Sequence, residues 1–565
     1  MLFILAALVA VMLLLAGLGR LAAFFLRPGP MDPWLHPWTG FFIAGMAGMA
    51  ASITVPLNGY ALLAFVTLGL AGLPLWLREY AGRAKKMDSA AAWMFLLAGL
   101  GYATLLASTL AWPEWPGKAP DTALYHAGVI RWLNEYGSPL GLANVHARFG
   151  FNTSWLVVAG LFDNGPLDLR VAWIMPALPK LGAFLYFLHI ALFSEETTLR
   201  TFAFCMLPWG FLEPLGYNGP SLYYDQGALF FNALLVSECL RLLLAREDAP
   251  GQCRLVLCLG AAAFMIKPMA ALSVAFTSGL VLFVLWKAGR LSIRMLFAVA
   301  WPAILAACVW IARNVVLTGF PLFPIPHFRL DLAWSLPPES AKANYDAVIG
   351  WARAPGAGAR EALGNWGWVG DWLVRYVGEK RFWEHVGVPF ITGALCWIVY
   401  LVRKPKSTGI FFGIWSFACL VYWFCSAPDI RFGNGFFHVF FAAGAAFAFH
   451  DPLWRLFRRI MRPRARKVLP THTVAVLLCL AALALFARSG RVLSGHGKNL
   501  VTVGVIPEGT VAQRVLDDSV TPPVLLYYAP SGECVNSPLP CATADIPDLR
   551  SLVPGDVGGG FQRIR

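Results

Sequence analysis

A chain of 565 residues that is 58% hydrophobic and only 13% charged, with a mean hydropathy of +0.62, holds more uninterrupted apolar runs of spanning length than any soluble core of this size needs. That excludes a soluble globular enzyme and points to an all-α polytopic membrane protein. The net charge of +14 does not imply a nucleic-acid partner, because many basic residues sit in short loops between apolar segments, where they set orientation across the bilayer.

Met1 to Leu26 is apolar from the second residue and lacks both a basic n-region and a clear small-residue cleavage site, so an uncleaved first span is expected. Candidate spans follow in order: Leu2–Leu18, Trp38–Leu57, Tyr60–Leu77, Ala91–Trp112, Val171–Phe193, Thr201–Leu215, Leu222–Leu244 and Leu255–Met265. The remainder are Ala270–Trp286, Met295–Ile311, Val386–Val402, Gly409–Cys425, Phe436–Phe449 and Thr471–Phe486. The expectation is therefore about 14 spans, two of them (Thr201–Leu215 and Leu255–Met265) short for a hydrocarbon layer of ~30 Å. The chain divides into N-terminal transmembrane helices (1–90), a transmembrane core (91–487) with long loops at 113–170 and 315–385, and a small C-terminal domain (488–565) of α/β or β type.

Loop charge predicts orientation. Arg78, Arg83, Lys85 and Lys86 mark a cytoplasmic loop, as do Lys287, Arg290 and Arg294, then Arg403, Lys404 and Lys406. The strongest such loop carries Arg455, Arg458, Arg459, Arg462, Arg464, Arg466 and Lys467. Counting spans from these anchors puts every polar cluster with chemical promise on the extracytoplasmic face of the cell (inner) membrane, together with the C-terminus. In the C-terminal domain Leu500–Ile506 and Pro523–Tyr528 read as strands. Cys534 and Cys541, in GECVNSPLPC, fit a disulfide in an oxidising compartment, which agrees with an outside location.

The stretch Asp121–Ser154 is too polar to enter a membrane. Pro120 precedes Asp121 and an amphipathic run continues to Gly137, so Asp121 reads as a helix N-cap and Gly137 as the stop. A carboxylate at the water–membrane boundary can also act as a general base, and both readings stand at this point. Tyr125, one turn on, and His126 suit orientation of a sugar or phosphate, or simple packing. In GLANVHARFGFN, Asn144, His146, Arg148 and Asn152 either line a pocket or tie down a loop; Arg148 is the candidate phosphate ligand.

Further along, SLYYDQ sets Asp225 and Gln226 at the outer end of a span, where an acid is costly unless paired. Lys267, in FMIKP, is a candidate partner for it, or a snorkelling lysine. WIARNVVLTGFPLFPIP ends a span with Arg313 and Asn314, and an arginine there can clamp a phosphate through two bonds. APDIRFGNG sets Asp429 two residues before Arg431, an orienting pair or a loop salt bridge. Trp351, Trp366, Trp368, Trp372 and Trp383 serve as interfacial anchors or as stacking platforms. No GxxxxGK[ST], GxGxxG after a strand, HExxH or CxxC occurs, so cytoplasmic nucleotide-driven chemistry has no visible site.

Taken together, an acid followed four residues later by Tyr in the first large outer loop (DTALYH) resembles the GT-C-type polytopic membrane glycosyltransferases. More narrowly, DTALYH, GLANVHARFGFN, FMIKP, WIARNVVLTGFPLFP, APDIRFG and CVNSPLPC resemble a bacterial multi-pass membrane protein family that lends no reaction. The first resemblance implies a GT-C-like core, a polyprenyl-phosphate or -diphosphate sugar as donor, and an extracytoplasmic acceptor such as a cell-envelope glycan, lipid or protein. It implies Asp121 as leading catalytic position and Asp225 as second acid, with phosphate roles for Lys267, Arg313 or Arg431. Two departures stand out: three spans precede the one before Asp121, and Thr122 follows it where a second acid is usual. A divalent metal is therefore left open as cofactor, and no other cofactor is implied. The alternatives are a transporter or flippase of a lipid-linked or polar solute, which predicts charges deep in the spans, and a non-catalytic assembly component.

Overall fold

The computed structural model describes every residue except 28, 30, 86–88, 113–118, 213–219, 245–248, 404, 461–503 and 565. Backbone polar groups in a bilayer must be satisfied within the segment, and the apolar runs accordingly fold as helices. Among the described residues ten helices are long and apolar enough to cross a membrane. The chain runs α1 (Leu2–Leu26), α2 (His36–Ser52), α3 (Gly59–Ala84), α4 (Ser89–Thr109), α5 (Ala127–Glu135), α6 (Ser154–Phe162), α7 (Leu178–Phe193), α8 (Thr197–Leu212) and α9 (Asp225–Leu244). It continues with α10 (Ala249–Ile266), α11 (Ala271–Lys287), α12 (Ile293–Thr318), α13 (Pro338–Arg353), α14 (Trp368–Val377), α15 (Lys380–Phe382), α16 (Val388–Val402), α17 (Ser407–Ser426) and α18 (Ile430–Ile460).

Among the described residues, three of the fourteen expected spans are helices shorter than those ten. These are α2, α8 and the Pro250–Ile266 stretch of α10, and each packs against longer neighbours. A fourth, Thr471–Phe486, lies outside the described residues. The long loop at 315–385 is itself largely helical, because α13 and α14 form within it. Helix ends follow their residues: the Asn58 side chain accepts from Tyr60 N at 3.0 Å to start α3, and Gly319, at φ +76°, closes α12.

Helices α1, α2 and α3 pack closely through glycines. A Cβ at Gly17 would stand 2.0 Å from Gly69 O, and one at Gly19 would stand 1.9 Å from His36 O. Lipid tails are as apolar as leucine, so contact of this kind, not hydrophobic burial, holds such helices together.

The start of α9, the end of α10 and the start of α18 meet at one end of the bundle, where α5, α6, α13 and α14 also gather. The C-terminal residues dock at the same end. There β1 (Ala512–Asp517) pairs antiparallel with β2 (Val524–Tyr528), which pairs parallel with β3 (Cys541–Ala542); β4 (Leu549–Val553) and β5 (Asp556–Arg563) form a separate hairpin. Of the two strands expected here, the second is present as β2, whereas the described part of Leu500–Ile506 is irregular and Ile506 N bonds to Leu169 O at 3.0 Å. Cys534 and Cys541 are disulfide-bonded, with Cα atoms 6.1 Å apart. The loop they close rests on the Asp121 segment: Val535 N donates to Ala123 O at 3.0 Å, and Arg131 Nη1 donates to Asn536 O and Ser537 O at 2.7 Å each.

Candidate functional site

Asp121 does not cap its helix. Its backbone is already helical (φ −64°, ψ −29°) and its side chain makes no capping bond. A wide π-helical turn, Thr122–His126, follows before α5 begins, and Gly137 with φ +78° ends the run as the sequence predicts. The freed carboxylate instead lies between two arginines from distant segments. Arg148 Nη1 stands 3.0 Å from Oδ1, and Arg431 Nη1 stands 3.2 Å from Oδ2. The Asp121 side chain keeps 23% of its exposure, so the pair is open to a ligand.

Burial acts to raise the Asp121 carboxyl, but attraction from His126, Arg431 and Arg148 outweighs it and holds the group below the ordinary carboxylate range. Burial pushes His126 itself down to about 4. At neutral pH that imidazole is uncharged, and the two guanidiniums supply the attraction.

A second ion pair adjoins the first. Lys267 Nζ contacts Asp225 Oδ1, and lies 3.3 Å from the centre of the Phe432 ring. Arg431 binds Asp429 as well: its backbone N donates to Asp429 Oδ1 at 2.8 Å, and Nε lies 3.7 Å from the same atom. Asp225, Lys267, Asp429 and Arg431 share a single cluster with Asp121 and Arg148. Each carboxylate in it faces a cation.

Aromatic rings wall the cluster. Arg431 stacks over Tyr223 at 5.2 Å and Arg148 over Tyr125 at 5.5 Å, while the Tyr125 and Tyr224 hydroxyls stand 3.3 Å apart. Burial holds the Tyr125, Tyr223 and Tyr224 hydroxyls well above their ordinary value, so all three are protonated. His126 packs edge-on against Tyr223, and Thr122 Oγ1 accepts from Leu222 N at 3.0 Å, tying the Asp121 segment to the chain entering α9. Tyr223, Tyr224 and Phe432 were not singled out from sequence. Their only signal was adjacency to Asp225 and Arg431.

Arg313 and Asn314 do not join the cluster. Arg313 is buried and donates to Ser52 Oγ (3.1 Å), Ser138 Oγ (3.0 Å) and Asn152 Oδ1 (2.7 Å). Asn314 Nδ2 donates to Pro321 O at 3.0 Å. Both fasten α12 to its surroundings, because backbone and hydroxyl groups buried there need partners. Asn144 and Asn152 likewise tie down loops, bonding to Trp334 O and Trp310 O. Burial and the neighbouring Arg148 push His146 down to about 3, leaving a neutral ring against Phe149. Trp368 and Trp372 are buried against Phe424, whereas Trp351, Trp366 and Trp383 are exposed. Among the described residues no group of three or more His, Cys, Asp or Glu is placed to hold a metal ion. With every carboxylate of the cluster already facing a cation, this donor set does not fit a divalent ion.

A domain of unknown function, DUF8201, matches residues 1–438 of the 565. The chain belongs to the DUF8201 family. Its matched segment takes in all six charged residues of the cluster, and the C-terminal strands lie beyond it. No curated protein and no solved structure matches the chain.

The same DUF8201 segment holds a second polar network, built from residues not singled out in the sequence. Glu238 is fully buried about 20 Å along α9 from Asp225. It accepts from Tyr186 Oη and from Gln252 Nε2 (2.7 Å), and pairs with Arg241 at 3.2 Å. Nearby, Asp32 Oδ2 lies 2.7 Å from His189 Nδ1. The signal was legible: an acid three residues before an arginine inside the apolar run of α9.

Proposed function

We propose that this DUF8201 protein is a membrane glycosyltransferase. It moves a sugar from a polyprenyl-phosphate or -diphosphate donor to an extracytoplasmic acceptor, using a GT-C-like arrangement of spans with the C-terminal domain outside. The observation that carries this reading is Asp121 held between Arg148 and Arg431, with Lys267 in the same cluster, where helix ends meet partly open surface. A carboxylate and three cations within one ligand's reach suit a reaction that removes a proton at one atom and builds negative charge at another.

In this reading Asp121 takes the proton of the acceptor hydroxyl as that oxygen bonds to the anomeric carbon. The bond from the carbon to the phosphate oxygen breaks with inversion, and its electron pair leaves on the phosphate. Arg148 and Arg431, released from Asp121 as it takes the proton, meet that charge together with Lys267. A lipid tail would reach the cluster from the bilayer between the ends of α9, α10 and α18. Arg313 takes no part in this reading, since its bonds run to Ser52, Ser138 and Asn152 and not to the cluster. The decisive experiment is Asp121→Asn in the full chain: loss of glycan product with intact expression and folding supports the base role, and full activity refutes it.

One observation favours the runner-up, movement of a solute across the membrane: Glu238 and Asp32 are charged groups buried deep in the bundle. Both are, however, satisfied by Tyr186, Gln252, Arg241 and His189, which suits a structural lock. Substrate passage through proteoliposomes without covalent change would turn the balance toward transport.

A further inference from the structure

The cluster around Asp121 is electrically balanced as it stands. Three cations, Arg148, Arg431 and Lys267, face three carboxylates, Asp121, Asp225 and Asp429. A phosphate that enters therefore finds no free cation among them, and it adds charge to a half-buried site with no surplus to offset it. The carboxylates differ in how firmly each is held. Asp225 is the least exposed and sits against Lys267. Asp429 accepts from the backbone N of Arg431, a bond that does not depend on where the guanidinium points. Asp121 is the most exposed of the three and is held by the two guanidiniums an anion would seek, one on each oxygen.

We propose that a dianionic phosphoryl group displaces the Asp121 carboxylate from Arg148 and Arg431, and that one proton is taken up by Asp121 as the anion binds. The proton comes from solvent in a binding experiment, and from the acceptor hydroxyl in the transfer reaction. The acceptor proton and the departing phosphate then share the site until both leave. A displaced Asp121 loses both charge partners and lies beside an anion, and each change favours its neutral form. The other titratable groups near it are His126, whose Nε2 is buried without a partner and which is neutral at pH 7, and Tyr125 and Tyr224, which hold their protons. Tyr223, which approaches from the segment before α9, already holds its proton. The inference rests only on the anion-binding half of the function proposed above and does not need sugar transfer.

The test is calorimetric titration of the full-length protein in detergent at pH 6, in two buffers of different ionisation enthalpy, with inorganic sulfate and dodecyl phosphate as separate probes. Sulfate does not titrate in this range, and comparing wild type with Asp121→Asn cancels the ionisation of the alkyl phosphate. Wild type should take up about one proton per sulfate bound. Asp121→Asn should take up none, and should bind either anion about tenfold more tightly, because the competing carboxylate has lost its charge. His126→Gln should behave as wild type. Equal uptake in wild type and Asp121→Asn, weaker binding in Asp121→Asn, or uptake abolished by His126→Gln would each overturn the proposal. If Asp121→Asn does not fold, the wild-type affinity for sulfate still decides: it should fall as pH rises from 5 to 8, and a flat profile overturns the proposal. Dodecyl phosphate binding much more tightly than sulfate identifies a lipid-anchored phosphate as the ligand, and equal affinities overturn that assignment. Proton uptake without any transferase activity would leave this inference standing and remove the transferase. Lost product in Asp121→Asn without proton uptake in wild type would do the reverse.

Discussion

Asp121 and Arg431 are separated by 310 residues of chain, and their side chains meet at 3.2 Å. Asp429 caps the turn by accepting from the Arg431 backbone N and also lies near its Nε, so one guanidinium has a carboxylate on each side. A lysine cannot reproduce that planar fork. Arg431→Lys should lower turnover of a lipid-phosphate sugar about 100-fold while the protein folds normally. Single-turnover product formation is the measurement, and unchanged turnover would remove Arg431 from the charge-stabilising set.

The Lys267–Asp225 pair separates stability from chemistry. Asp225 is buried, and Lys267→Met strands its charge, so thermal unfolding in detergent should show a loss of roughly 3–5 kcal/mol. The double variant Lys267→Met, Asp225→Leu removes both charges and should recover most of that loss. It should stay inactive if Lys267 meets the leaving phosphate. Recovered activity in the double variant would make the pair purely structural.

Arg313 provides the contrast. It is buried 3% exposed, and its bonds reach α2, the Ser138 turn and the Asn152 loop. Arg313→Met should cost about 2–4 kcal/mol of stability, with product per folded molecule close to wild type. A large loss of activity in well-folded protein would restore the phosphate role suggested by sequence.

Asp163 sits where α6 ends, lining a cleft of about 270 Å³ beside α5 and the C-terminal residues. Burial raises its carboxyl to about 7, against the hydrogen bond from Val171 N. The folded form thus keeps a proton that the unfolded chain loses near pH 4. That contribution to stability is complete below about pH 4 and is lost as pH rises through about 7. Asp163→Asn should therefore raise the melting temperature at pH 8, by up to about 4 kcal/mol of stability, and change little at pH 4. Melting curves at the two pH values check it, and an equal shift at both would contradict the assignment.

Much of this was open to sequence reading for a simple reason. Spans announce themselves by local hydropathy, and charges at their ends are local as well. Asp121, Arg148, Asp225, Lys267, Asp429 and Arg431 could be picked out because each is a polar residue where an apolar run begins or ends. The disulfide was legible from two cysteines close together in a hydrophilic tail. Span number was less legible, because α2, α8 and α10 are apolar but short, and periodicity does not separate a helix apolar for packing from one apolar for lipid.

Residue chemistry along the chain is enough to dictate a bundle of apolar helices with most of its charged groups at helix ends, since burial of unpaired charge in lipid forbids most other placements. Which of those groups meet was decided only by tertiary structure. Arg148 and Arg431 converge on Asp121 while Arg313, equally promising in the chain, turns to Ser52 and Asn152. Glu238 and Asp32 also find partners at the other end. Pairing of charges depends on distances between segments hundreds of residues apart, and no local pattern carries those distances.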